Sequence, residues 1–241
     1  MKKFLAIVML VVLTMTAAST AFAQEITIIA KISKTDVRVG AYAQYLADMY
    51  LDGYKGKIRH IGIVDINKDT RPELFYILNE DGEWSFHFAV YEDGEVVEME
   101  VEDNYISQSP KSIALTRYRV NGSKTNHVWV LRSTGKNASK RYEQLYNVIR
   151  NSSGSITNKK LIKRTWKSSK SVRYFVNDGE VTKTVYRASR DEVIVGNTPE
   201  TTSYKNKGII IKVPSPKKLT SVISTLDKAA NKWKKLPPVT K

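Results

Sequence analysis

Asp65, Asn67, Asp69 and Glu73 stand at positions 1, 3, 5 and 9 of a loop, counted from Asp65, within the stretch VDINKDTRPELFYILNEDGEW at residues 64–84. A hard divalent cation takes oxygen ligands at about 2.3–2.6 Å, and a short loop supplies them from alternate positions as it wraps the ion. Asp65, Asn67 and Asp69 fill the first three positions. The main-chain carbonyl of Arg71 fills the seventh, where the side chain is free to vary, and Glu73 reaches back from the ninth. This donor set suits calcium. Magnesium demands stricter geometry and keeps its waters, and transition metals prefer imidazole or thiolate. The three histidines, His60, His87 and His127, are scattered and form no pair at ligand spacing. Three carboxylates in one loop repel one another unless a cation, or Lys68 and Arg71 folded over them, offsets the charge. A second reading therefore stands beside the first: a structural acidic turn held by hydrogen bonds from Asx side chains to its own backbone.

Other chemistry is sparse. The chain has no Gly-x-Ser-x-Gly elbow, no His-Glu-x-x-His, no glycine-rich phosphate loop and no cysteine. No catalytic residue is assigned. Acidic residues are plentiful between Asp65 and Asp103, so a hydrolase using a carboxylate pair is one alternative. Most of these acids fit turns or the outer face of a strand.

The elements around the loop follow from composition and periodicity. Lys2 and Lys3, the apolar run Phe4–Thr14 and the small-x-small triplet Ala21-Phe22-Ala23 have the form of a secretory signal peptide spanning residues 1–23. The chain is accordingly expected outside the cytoplasm, secreted or in the cell envelope, with no membrane anchor after cleavage. Its 0 cysteines leave stability to a core, with or without a metal. Residues 24–241 are expected to form one monomeric α+β domain. It comprises a calcium-loop meander at about 55–103, a basic β-rich part at about 104–216 and a C-terminal helix at about 217–234.

Charge divides the chain. Residues 1–64 carry 8 Lys or Arg and 4 Asp or Glu (+4), residues 65–103 carry 2 and 13 (−11), and residues 104–241 carry 29 and 7 (+22), which together make the overall +15. The basic part is suited to polyanions at low salt, or serves as a solubilising surface.

Asp36 is placed to cap a helix over about 37–51, whose Tyr42, Tyr45, Leu46, Met49 and Tyr50 recur at helical spacing and which stops near Gly53. Asp81-Gly82, Asp93-Gly94 and Asp178-Gly179 each mark a tight hairpin turn. WSFHFAVY and EVVEMEVE alternate with period two, which predicts a sheet with one core face and one wet, acidic face. Residues 58–103 thus read as four consecutive antiparallel strands. NHVWVLRS, KLIKRTW, SVRYFV and GIIIKV read as further strands, and SKRYEQLYNVIR as helix or strand. Exposed loops are expected at 151–160 and 196–208. The amphipathic run at 217–234 is expected to dock on the sheet rather than on a membrane. The fold class is α+β: an antiparallel, hairpin-rich meander flanked by an N-terminal and a C-terminal helix.

The stretch DINKDTRPELFYI is similar to the loops of FG-GAP and VCBS-type repeats and to dockerin-like calcium loops. More broadly, residues 40–101 resemble a group of secreted bacterial proteins of unassigned activity that carry a DIDGDGxPEL loop followed by Asp-Gly hairpins. YFVNDGEVTKTVY, within residues 172–192, is loosely similar to their C-terminal parts. The resemblance implies a calcium loop on an extracellular β-rich scaffold, with Asp65, Asn67, Asp69, Arg71 and Glu73 as ligands and no catalytic residues. One position departs from it. The sixth residue of the loop, glycine in the motif, is Thr70, and a β-branched residue is costly at the positive φ of that turn. The function expected is a secreted, non-enzymatic binding module for anionic cell-surface or extracellular polymers. The alternatives are the hydrolase above and an exported nucleic-acid binder, because TNKKLIKRTWKSSKSVRY interleaves Trp166 and Tyr174 with Lys and Arg.

Overall fold

The computed structural model describes residues 36–66, 71–101, 104–106, 109–120, 127–136, 141–150, 156–168, 170–194, 197–199 and 208–235. The expected leader at 1–23, the loop centre Asn67 to Thr70, and residues 151–155, 196 and 200–207 of the loops expected at 151–160 and 196–208 lie outside them. Residues 156–160 and 197–199 are strand rather than loop, because each run pairs antiparallel with a neighbouring strand.

Helix α1, Val37–Met49, begins where Asp36 is extended and its carboxylate accepts from the amides of Arg38 and Val39 at 3.1 and 3.4 Å. Those amides have no partner inside the helix. Val39, Tyr42, Ala43, Leu46 and Ala47 form its buried stripe. A π turn, Tyr50–Tyr54, ends the element through Gly53 at φ +102°, a conformation that costs glycine little.

Strands β1 (Ile58–Val64), β2 (Glu73–Glu80), β3 (Glu83–Glu92) and β4 (Glu95–Met99) pair antiparallel in chain order, as the periodicity predicts. β5 (Tyr105–Ile106) adds to β3, and β13 (Ile209–Lys212) returns beside β1. The second sheet is a longer antiparallel meander. It runs through β6 (Ser112–Val120), β7 (His127–Lys136), β8 (Arg141–Arg150), β9 (Ile156–Trp166), β10 (Val172–Val176) and β11 (Gly179–Val181), with β12 (Asn197–Pro199) against β6. Helix α2, Lys183–Ile194, follows β11, and helix α3, Leu219–Lys234, follows β13. The protein is thus a β-rich α+β fold with two antiparallel sheets.

The layers follow from which face of each strand is apolar. Ile61, Ile63, Leu74, Tyr76 and Ala89 of the first sheet pack against α1 and against Val222, Ile223, Leu226 and Trp233 of α3. The opposite face, with Val64, Phe75, Ile77, Phe86 and Phe88, packs on Leu115, Trp129 and Leu131 of the second sheet. Tyr186 of α2 covers Val130 and Leu145 on that sheet's far side. The first sheet is therefore covered on both faces. The expected wet face is confined to its β3–β4 edge, because α1 lies across the polar side of the period-two pattern. β1 and β2 are buried on both sides, which explains their nearly continuous apolar runs.

Two hairpin turns stand where the Asp-Gly pairs predict, with Asp81 and Gly82 at φ 50° and 97° and Asp93 and Gly94 at 50° and 94°. The third differs. Its positive-φ residues are Asn177 and Asp178, at 47° and 64°, and Gly179 is already paired with Val176. Asn and Asp tolerate the left-handed region better than other side chains, so pairing of β10 with β11 sets the turn one residue earlier. Residues 141–150 form a strand because β7 and β9 flank them on both sides. The pattern in the chain does not single out β6, in which the buried Arg117 interrupts the apolar alternation.

Candidate functional site

The acidic loop joins β1 to β2, and both of its feet are anchored. Glu73 opens β2 opposite Val64 and is almost fully buried. Its Oε2 accepts the amide N–H of Ile66 at 2.7 Å. The carbonyl of Ile66 accepts the indole N–H of Trp129, from the second sheet, at 2.9 Å. On the other side, the carbonyl of Pro72 accepts the hydroxyl of Tyr42 at 2.9 Å, and that same hydroxyl accepts the amide of Tyr91 at 3.1 Å. Burial pushes the Tyr42 phenol well above its ordinary range, with the charge of Glu73 adding to the effect. Tyr42 therefore remains a protonated donor. Helix, first sheet and second sheet each contribute one fixed point.

Asp65, beside the Val64–Glu73 pair, is also buried. Two of the expected ligands, Asp65 and Glu73, are thus brought to the loop's feet, while the Arg71 side chain is exposed. Asn67 and Asp69 lie outside the described residues. Among the described residues no three His, Asp or Glu side chains gather at ligand spacing. What the geometry offers a cation is a rigid frame carrying two buried carboxylates at the mouth of a short loop. A hard cation is bound by carboxylate oxygens of this kind. One oxygen of Glu73 is also committed to the Ile66 amide, which suits the structural-turn reading.

No family model, curated protein or solved structure matches the chain.

The second candidate region is the free end of the second sheet. Arg164 lies over the Trp166 ring, 4.7 Å from its centroid. Lys163 and Arg173 flank Phe175 at 5.9 and 5.5 Å. The cross-strand pairing of Lys163 with Phe175 places this second group on the opposite face from Arg164 and Trp166. Glu143, buried on β8, accepts from Arg132 and Arg164 at 3.0 and 3.2 Å, and Arg173 is paired with Glu180 on β11. These acids fix the direction of the guanidinium groups. Lys167 and Lys170, in the β9–β10 turn, are exposed.

Tyr42 and Trp129, the loop's anchors, carry no local signal. They bond to residues 30 and 63 positions away. Among the described residues no helix is long and apolar enough to cross a membrane.

Proposed function

We propose that this chain is an exported β-rich binding module that engages anionic cell-surface or extracellular polymers through the basic end of its second sheet, with a calcium-stiffened loop at Asp65–Glu73. The observation that carries the reading is the set of basic side chains laid over aromatic rings on β9 and β10. A ring beside a guanidinium or ammonium limits its freedom, and the exposed Lys167 and Lys170 add positive charge beyond the Arg164–Glu143 and Arg173–Glu180 pairs. The +22 carried by residues 104–241 draws polyanions to this region. Export rests on the leader. Calcium at the loop is supported by the two buried carboxylates at its feet and by the anchoring of both feet to separate layers.

The test is binding of polyphosphate and of poly-glutamate to the mature chain across a salt series. Affinity should fall steeply with salt. Replacing Lys163, Lys167, Lys170 and Arg173 together by Gln should weaken it roughly tenfold or more at low salt. Salt-independent binding, or binding indifferent to the fourfold variant, overturns the reading. An oligothymidylate bound tighter than polyphosphate of equal charge, with the preference lost in Trp166→Ala, transfers the assignment to single-stranded nucleic acid.

A further inference from the structure

Ser85 and His87 are alternate residues of β3 and so share one face of the first sheet. Glu98 lies on β4 opposite Ala89, on that same face. The three form a hydrogen-bonded chain: Ser85 Oγ to His87 Nε2 at 2.7 Å, and His87 Nδ1 to Glu98 Oε1 at 2.7 Å. The His87 ring stacks on Tyr76, with centroids 5.0 Å apart and planes 11° apart. The Tyr45 hydroxyl donates to Glu98 Oε2 at 3.1 Å and meets the Tyr76 hydroxyl at 3.1 Å. The imidazole is thus fixed by stacking and by hydrogen bonds at both nitrogens.

Proton positions follow from the carboxylate. The hydrogen bond from His87 holds the Glu98 carboxyl below its usual range, and the tyrosine hydroxyls act in the same direction. An ionised carboxylate only accepts, so the proton between it and the ring resides on Nδ1. In the neutral ring Nε2 is then an acceptor, and the Ser85 hydroxyl donates to it. Hydroxyl, imidazole base and orienting carboxylate in this order define an activated serine, whatever the fold and chain order. The three stand at the β3–β4–β5 edge, where Glu98 is half exposed. Tyr105, directly across from Ser85 on β5, is 45 % exposed and offers a ring against which an acyl group can rest.

We propose that Ser85, His87 and Glu98 form a nucleophilic centre that takes carboxylic esters. In the acylation step the Ser85 proton passes to His87 Nε2 while Oγ bonds to the ester carbonyl carbon. The tetrahedral adduct collapses as its carbon–oxygen bond to the alcohol breaks, and the alcohol leaves with the proton from Nε2. Water then repeats the sequence on the acyl-serine and releases the acid, restoring Ser85. Ser85 and His87 are the catalytic residues, and Glu98 is a positioning residue. This centre is separate from the basic end of the second sheet, and polyanion binding proceeds without it.

The test uses the full mature chain with a fluorophosphonate probe, located by peptide mass spectrometry, and with 4-nitrophenyl acetate. The expected result is one label per chain on Ser85, none on that peptide in Ser85→Ala, and labelling slowed about a hundredfold in His87→Gln, the lower end of general-base contributions. Glu98→Gln should slow labelling at least tenfold with its unfolding midpoint near that of the wild type, and Glu98→Asp should recover part of the rate. A folded wild type whose Ser85 takes no label overturns the proposal, as does labelling at Ser85 that His87→Gln leaves unchanged.

Discussion

His60 should make this protein lose stability in mild acid. It lies on β1 between Lys212 of β13 and Ile77 of β2, 5 % exposed, and its Nδ1 is buried with no hydrogen-bond partner among the described residues. Burial, with smaller contributions from the charges of Lys212 and Arg59, brings its pKa from 6.5 down to about 4. Above pH 6.5 both native and unfolded chains hold a neutral ring, and His60 contributes no pH dependence. Between 6.5 and about 4 the unfolded chain binds a proton that the native fold refuses, so stability falls as pH falls. Below about 4 both states are charged and the loss is complete. At about 1.4 kcal/mol per pH unit, the window from 6.5 to about 4 amounts to about 3 kcal/mol. That is a large share of the ~5–15 kcal/mol that holds a typical domain folded. The assay is urea denaturation of the wild type and His60→Leu from about pH 7 to pH 4, with stability extrapolated to water. Leucine suits the apolar surroundings and does not titrate. The stability difference, variant minus wild type, should therefore grow by about 3 kcal/mol across that range. Parallel stability curves for the two proteins would refute the reasoning, because a ring that water reaches on its native strand carries no such penalty.

Tyr42→Phe removes one hydroxyl that serves both the Pro72 carbonyl and the Tyr91 amide; it should cost about 1–3 kcal/mol in chemical denaturation because two buried backbone groups lose a partner. Gly82→Ala should cost about 1 kcal/mol, since Gly82 sits at φ +97°, whereas Gly179→Ala should be close to neutral, an added Cβ there meeting only the Val176 carbonyl at 3.4 Å. Equal costs at the two glycines would contradict the turn placement at Asn177-Asp178. Calcium should raise the unfolding midpoint with a dissociation constant on the order of 10⁻⁴–10⁻³ M, Thr70 placing the loop at the weak end of the range. At tenfold excess over that constant the gain is about 1.4 kcal/mol. Asp65→Ala should abolish the shift and Thr70→Gly should enlarge it. A wild-type midpoint identical in EDTA and calcium would leave the loop as a structural turn.

Local pattern alone determined much of this architecture. Asp36 as a cap, the stop near Gly53 in the π turn after α1, the meander over β1–β4 and two of the three hairpins each depend on neighbours a few residues apart, and such signals are written in short stretches of chain. The same spacing rules bring Asp65 and Glu73 to one loop. Tertiary structure decided the rest, because the energies involved come from contacts between distant segments. Residues 141–150 carry helix and strand signals alike and became β8 only because β7 and β9 supply backbone partners on both sides. The third turn moved to Asn177-Asp178 because strand pairing outweighed the pull of glycine toward positive φ. Glu73 reads as a ligand in the chain, yet in the fold its carboxylate also accepts the Ile66 amide N–H, while the Ile66 carbonyl is held by the indole of Trp129, 63 residues on. His87 stands alone in the sequence, 11 residues from Glu98. Only the antiparallel pairing of β3 with β4 sets that carboxylate at its Nδ1, and only the two-residue repeat of the strand sets Ser85 at its Nε2.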